Sequence, residues 1–160
     1  MDDDIIVTSA WLDQEDRRVI HTIRTHGCYI EVVLAEDEQP TFAYTVGLFG
    51  IGHPELLIYG LDMESVGFVL NGLHRLVREG EDLMPGEIVT LPGCATRFFV
   101  ETLPNPGEIL YAANRHYQRP AEASTPAYQL TWDVAGAFPW DPGYPYPALK
   151  QPRPGTYGPV

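Results

Sequence analysis

His53 and Glu55 lie two residues apart in a glycine-rich turn between two apolar segments, and their types and spacing could support acid–base chemistry. Alternate residues of an extended chain point to the same side, so the two side chains can face one space. A carboxylate beside an imidazole makes the imidazole more basic, which gives a general base near neutral pH. We therefore predict His53 and Glu55 as catalytic residues. The alternative is structural: Glu55 accepts hydrogen bonds from amides of the turn, and His53 caps the neighbouring strand.

Four further side chains complete the predicted site as substrate-binding residues. Tyr44 and Thr45 lie in the segment just before the turn, and their hydroxyl groups can donate to an oxyanion. Trp140 and Asp141 open a Trp-Asp-Pro-Gly sequence and could line the rim of a pocket. Each pair has a structural alternative, because a Tyr-Thr pair is favoured in strands and an Asp before Pro-Gly is typical of a turn.

The histidine and cysteine spacings do not favour a metal site. His21 and His26 are five residues apart on a predicted helix, which places them on nearly opposite faces. His53 and its neighbouring carboxylate supply two ligands, and a third would come from far along the chain. Cys28 and Cys94 form no CxxC pair and are expected to be reduced. We therefore predict no metal, and no serine lies in a GxSxG elbow.

Composition restricts the classes of protein and partner. The chain has 160 residues, 44% of them hydrophobic, which favours one domain with a sizeable core. Its net charge of −12 repels phosphate backbones and argues against nucleic acid. The N-terminus is acidic rather than basic, and no apolar run approaches the roughly 18 residues of a membrane span. We expect a cytoplasmic protein with no membrane partner, which binds a small molecule or another protein.

The elements that would position the site follow from hydrophobic periodicity. In the clearest segment, residues 63–79, apolar side chains recur at helical spacing between Asp62 as N-cap and Gly80 as stop. Residues 28–35 and 41–48 alternate as strands around a polar turn and predict a β-hairpin. The remaining elements are helices over 9–26 and 108–117, and strands over 55–59, 87–91, 95–103 and 128–133.

This order predicts an α+β fold with a mostly antiparallel sheet, either open or closed as a split barrel, and one long amphipathic helix packed on it. Prolines and glycines dominate the chain from Phe138 onward and predict an extended, ordered segment that packs on the domain. We assign residues 1–152 to a single domain and expect residues 153–160 to be a loose tail. A sheet edge in so small a domain commonly pairs with a second copy, which favours a homodimer.

Four motifs together resemble the bacterial family catalogued as domain of unknown function 4262. They are His26-Gly27, the run from Phe42 to Leu48, Gly52-His53-Pro54-Glu55, and Phe138-Pro139-Trp140-Asp141-Pro142-Gly143. The resemblance extends from about residue 17 to residue 152 and implies a small cytoplasmic protein, without an assigned catalytic residue. This chain departs from the family pattern at Cys28 and Tyr29, where members often carry a Trp and a second His. A weaker likeness to flavin-reductase-type split barrels implies FMN or another flavin as cofactor.

Three functions remain open at this point. The first is a small-molecule enzyme or binder whose acid–base pocket surrounds His53 and Glu55. The second is a flavin-binding split barrel. The third is a non-catalytic interaction module that uses the aromatic, proline-rich tail or an acidic face to hold a partner.

Overall fold

The computed structural model describes residues 3–36 and 40–157, with side chains of the first helix described from residue 9. The predicted order of helices and strands is confirmed within these residues. The elements are α1 (Asp3–His26), β1 (Tyr29–Val33), β2 (Phe42–Val46), β3 (Glu55–Tyr59), α2 (Met63–Arg78), β4 (Ile88–Thr90), β5 (Arg97–Thr102), α3 (Tyr111–His116) and β6 (Ala127–Trp132).

The six strands form one open, mixed sheet in the order β1-β2-β3-β6-β5-β4. The central pair, β3 and β6, is parallel, and the other four pairs are antiparallel. The predicted β1–β2 hairpin is confirmed, although residues 37–39 of its turn lie outside the described part of the chain. The predicted closure into a barrel is wrong, because β1 and β4 lie at opposite edges of the sheet.

Helices cover both faces of this sheet, so its apolar side chains are buried without closure of the sheet into a barrel. Leu56 and Ile58 of β3 pack in one cluster with α2, whereas Leu57 and Tyr59 pack in a second cluster with α1 and α3. All five residues of β3 are buried, as expected of a strand with both faces covered. The sequence predicted one long amphipathic helix on the sheet, and the structure has a second long helix beside it, since α1 has 24 residues and α2 has 16.

The structure of α2 follows its sequence closely. The Asp62 side chain caps the helix by accepting a hydrogen bond from the Ser65 amide at 2.8 Å. Gly80 follows the last turn with a φ of +103°, a left-handed conformation that glycine adopts without strain.

No helix among the described residues is long and apolar enough to cross a membrane.

The proline-rich segment packs against the face opposite α2, over β5 and β6. Its Phe138 and Trp140 rings contact Phe99, and Gln129 donates a hydrogen bond from Nε2 to the Pro152 carbonyl at 2.7 Å. Residues 153–157, predicted to be loose, are also in contact with the domain, since the Tyr157 ring packs in the cluster of α1 and α3. Residues 158–160 lie outside the described part of the chain.

Gln151 is the residue that joins this segment to β6. Its side-chain amide accepts a hydrogen bond from the Trp132 amide and donates one to the Trp132 carbonyl, both at 2.9 Å. The same Nε2 also donates to the Tyr144 hydroxyl. The Gln151 side chain thus completes the backbone hydrogen bonding of Trp132, as a further strand would.

We therefore expect Gln151→Ala to lower the free energy of unfolding by about 3 kcal/mol, because it leaves buried backbone groups of Trp132 without partners. Leu149→Ala is the matched control, since Leu149 is 58% exposed and should change stability by less than about 0.5 kcal/mol. Urea unfolding of both variants measures the difference. Equal stabilities would show that the segment does not support β6.

Candidate functional site

The Glu55 carboxylate is the centre of the β2–β3 turn. The side chain is fully buried, and it accepts a hydrogen bond from the Thr45 hydroxyl at 2.7 Å. The backbone amides of Gly47, Leu48 and Phe49 donate three more, at 3.0 to 3.1 Å. Residues 47–49 therefore wrap around one carboxylate at the start of β3.

The electrostatics of Glu55 combine two opposed effects. Burial raises the pKa of the Glu55 carboxyl, and the four hydrogen bonds donated to it oppose that rise. Thr45 links this cluster to the sheet, because its oxygen also accepts a hydrogen bond from the Leu56 amide at 2.9 Å. The hydrogen bonds of Glu55 thus hold the turn together. This arrangement is the one that the structural alternative for Glu55 describes.

The His53 ring is also held by backbone groups. It is 4% exposed, and its Nε2 accepts a hydrogen bond from the Leu83 amide at 3.2 Å. Its Nδ1 lies 2.7 Å from the Pro54 carbonyl and donates to it, as the partners of the two nitrogens require. Both ring nitrogens are therefore engaged by backbone groups, and the ring packs against Tyr128 in an edge-to-face arrangement.

The remaining predicted pair forms a turn on the surface. Asp141 accepts a hydrogen bond from the Phe138 amide, three residues before it, at 2.9 Å. Trp140 is 48% exposed, stacks on the Phe138 ring at 5.0 Å and lies under the Arg153 guanidinium. These contacts do not involve the β2–β3 turn, His53 or Glu55.

The structure thus joins only part of the predicted site. Thr45 and Glu55 are in direct contact, whereas no hydrogen bond or ion pair joins His53 to Glu55. The catalytic roles of His53 and Glu55 and the substrate-binding roles of Tyr44, Thr45, Trp140 and Asp141 stay predictions.

A cleft of about 320 Å³ opens elsewhere, between α1, the β1–β2 hairpin and α3. Of the six predicted site residues, all of which the structure describes, Tyr44 lines it and the other five do not. We call it the apolar cleft, because most of its lining side chains are apolar or aromatic. These are Trp11, Leu12, Val19, Val33, Phe42, Ile109, Tyr111 and Tyr157. A pocket of this kind is the usual form of a small-molecule site.

Tyr44 gives the apolar cleft a hydrogen-bond donor. Its oxygen accepts a hydrogen bond from the Ala112 amide at 2.9 Å, and no described residue accepts its hydroxyl hydrogen. Burial raises the pKa of Tyr44 far above its ordinary value, so the hydroxyl keeps its proton. The Ala112 amide therefore fixes the position of the Tyr44 hydroxyl oxygen.

Titratable side chains also line the apolar cleft. Arg115 on α3 forms two hydrogen bonds to the Asp16 carboxylate on α1, at 2.8 and 2.9 Å, and so joins the two helices. Burial raises the pKa of Glu31 on β1, while burial lowers the pKa of His116 on α3. Glu31 adds a carboxyl group to the part of the cleft wall that β1 forms.

Sequence reasoning missed Glu31 and the Asp16–Arg115 pair. Glu31 carried a usable signal, since it is the one charged residue within the strand sequence YIEVV. The other two residues are 99 positions apart, and only packing brings them together. Among the described residues, no group of three or more His, Cys, Asp or Glu side chains could hold a metal ion.

Comparison with known families identifies one match. A model of the family described as Domain of unknown function (DUF4262) matches residues 22–145, more than half of the chain. This match confirms the resemblance carried by the four motifs. No curated protein and no solved structure matches the chain.

We expect Glu55→Gln to lower the free energy of unfolding by about 3 to 5 kcal/mol, because an amide N–H would then face backbone N–H groups that need an acceptor. Glu87→Gln is the control, since the Glu87 side chain is exposed. Thermal unfolding at neutral pH tests both variants. A Glu55→Gln protein as stable as the control would refute the structural role of this carboxylate.

His53→Ala should lower the free energy of unfolding by about 2 to 3 kcal/mol, because it leaves the buried Leu83 amide without an acceptor and opens a cavity. The exposed residue His21 provides the control variant His21→Ala, which should stay within about 0.5 kcal/mol of the parent. Chemical denaturation measures the difference. An unchanged stability for His53→Ala would favour a catalytic role instead.

Proposed function

The chain belongs to the family described as Domain of unknown function (DUF4262), and we propose that it binds a small, largely apolar molecule in the apolar cleft. The occupant carries a hydrogen-bond acceptor, such as a carbonyl oxygen, that receives the proton of the Tyr44 hydroxyl. The sequence predicted a small-molecule enzyme or binder with an acid–base pocket around His53 and Glu55; this proposal keeps the small-molecule ligand and moves the binding site to the cleft between α1 and α3.

The Tyr44 hydroxyl is the observation that supports this proposal. A buried donor without a partner costs about 1 to 3 kcal/mol, and a ligand acceptor removes that cost. The Ala112 amide donates to the hydroxyl oxygen and so orients the group before any ligand arrives. A fixed donor among apolar walls gives orientation and selectivity at little entropic cost.

The size and charge of the cleft narrow the class of ligand. A volume of about 320 Å³ is near the lower end of small-molecule pockets, which favours a molecule built on a single ring. The aromatic side chains Trp11, Phe42, Tyr111 and Tyr157 offer surfaces on which such a ring can pack. Glu31 disfavours an anionic ligand, because a bound anion would repel its carboxylate.

No observation favours the two other functions to the same degree. The flavin alternative depended on a split barrel, and the sheet is open. The interaction module depended on a tail available to a partner, whereas Gln151, Pro152 and Tyr157 of this segment contact the domain. Binding of a small molecule therefore remains the proposal with direct geometric support.

Acetophenone is a suitable probe, because it joins one aromatic ring to one carbonyl acceptor without a charge. We expect it to shift amide resonances of residues 109–116 and of β2 in a two-dimensional NMR titration. Tyr44→Phe should weaken its binding by about tenfold, the usual effect of one lost hydrogen bond. Binding of ethylbenzene, which lacks the acceptor, should change far less.

Tyr59→Phe is the matched control, since Tyr59 is a buried tyrosine of the neighbouring strand that does not line the cleft. The comparison of two ligands separates loss of the hydroxyl donor from a general loss of stability. Chemical-shift changes on addition of acetophenone that lie outside the apolar cleft would refute the proposal. An equal loss of affinity for both ligands in Tyr44→Phe would also refute it.

A further inference from the structure

A second cleft lies between the C-terminal half of α1, the start of β1 and the C-terminal half of α2. Its volume is about 800 Å³, and we call it the basic groove. Five of its lining side chains are basic, namely Arg18, His26, His74, Arg75 and Arg78. The groove is separate from the apolar cleft, and the two share no lining residue.

The charge of this groove contrasts with that of the whole chain. The protein carries 22 acidic and only 10 Lys and Arg side chains, yet three of those ten line one groove. Arg18 lies 3.4 Å from the Glu15 carboxylate in an exposed ion pair, which contributes little. Arg75 and Arg78 form no salt bridge with any residue of ranges 3–36 and 40–157.

Helix dipoles account for only part of this arrangement. Arg75 and Arg78 lie in the last turn of α2 and His26 in the last turn of α1, where positive charge stabilises a helix. Arg18 lies about two turns before the end of α1, beyond the reach of that effect.

His74 supplies an independent sign of a missing partner. The side chain is 4% exposed, lines the groove, and its Nε2 has no hydrogen-bond partner among the described residues. Such an unsatisfied buried group is rare in folded proteins and costs stability. Burial, together with the nearby Arg78 and Arg75, lowers the pKa of His74.

Gly27 permits this placement of His74. A Cβ atom at residue 27 would lie 2.9 Å from His74 Cε1 and 3.2 Å from both His74 Nε2 and Arg78 Nη1. The absence of a side chain at Gly27, whose φ is +87°, lets the imidazole edge and one guanidinium come together. Two hydrogen-bonding groups thus meet at one wall of the groove.

We propose that the basic groove binds the phosphate group of a small molecule. Guanidinium groups donate paired hydrogen bonds that match phosphate oxygens, and three of them from two helices can surround one such group. The volume leaves room for an organic part beside the phosphate. Glu79, the one carboxylate among the lining side chains, lies at the α2 end of the groove and is exposed.

Three probes test this inference by NMR titration of the full chain: inorganic phosphate, pyrophosphate and adenosine monophosphate. We expect saturable shifts of the His74 ring and of the Arg18, Arg75 and Arg78 side chains. Adenosine monophosphate binding more tightly than phosphate identifies a phosphate ester as the ligand class, whereas equal affinities identify free phosphate. Both results support a phosphate site.

Arginine variants distinguish this site from general attraction of anions. Arg75→Gln and Arg78→Gln should each weaken binding of pyrophosphate by about tenfold, whereas Arg17→Gln should leave it unchanged. Arg17 is exposed on the same helix as Arg18 and lies outside the groove, so it matches the change in net charge. All three altered side chains are exposed, and thermal unfolding checks that each variant folds.

No saturable shift with any probe would overturn the inference. An equal loss of affinity in Arg17→Gln and the two groove variants would also overturn it, because it would indicate only long-range charge. Neither result would bear on ligand binding at Tyr44, since the apolar cleft has separate lining residues and uncharged probes.

Discussion

The β2–β3 turn and the centre of the sheet depend on the hydrogen bonds of one buried carboxylate, that of Glu55. Its four hydrogen bonds join the end of β2, the turn over residues 47–49 and the start of β3. A buried charge is costly unless it is fully hydrogen-bonded, so the turn has one favourable conformation around it. Because β3 lies beside β6 at the centre of the sheet, this turn helps to fix the strands that both helical layers cover.

Coverage of both sheet faces explains where clefts form. α2 packs on one face, while α1 and α3 pack on the other and leave a gap over the β1–β2 hairpin. The Asp16–Arg115 pair joins α1 to α3 and so maintains the rim of the apolar cleft. At the edge strand β1, α1 and α2 approach each other, and the basic groove lies between them. Helix α1 therefore lines both clefts, the apolar cleft with residues between 11 and 19 and the basic groove with residues between 18 and 26.

Buried polar side chains in this protein differ in whether the described residues satisfy their hydrogen-bonding groups. His53, Glu55 and Gln151 have hydrogen bonds to the backbone, and these bonds connect distant segments of the chain. Tyr44 and His74 are buried too, but each retains a polar hydrogen or nitrogen that no described residue satisfies. An unsatisfied group beside a cleft is a better sign of a ligand than a reactive residue type in a satisfied environment.

Sequence alone determined the local elements and the family. Hydrophobic periodicity placed α2 and β3 almost to the residue, because backbone geometry sets the spacing of side chains on a helix or strand. It also located the Glu55 turn and left its structural role open. Only the tertiary structure decided that β3 and β6 pair in parallel and that Leu83 holds His53. It also decided that Tyr44 lines a cleft with α3. These contacts join residues 30 or more positions apart, and they depend on how the layers pack rather than on any local pattern.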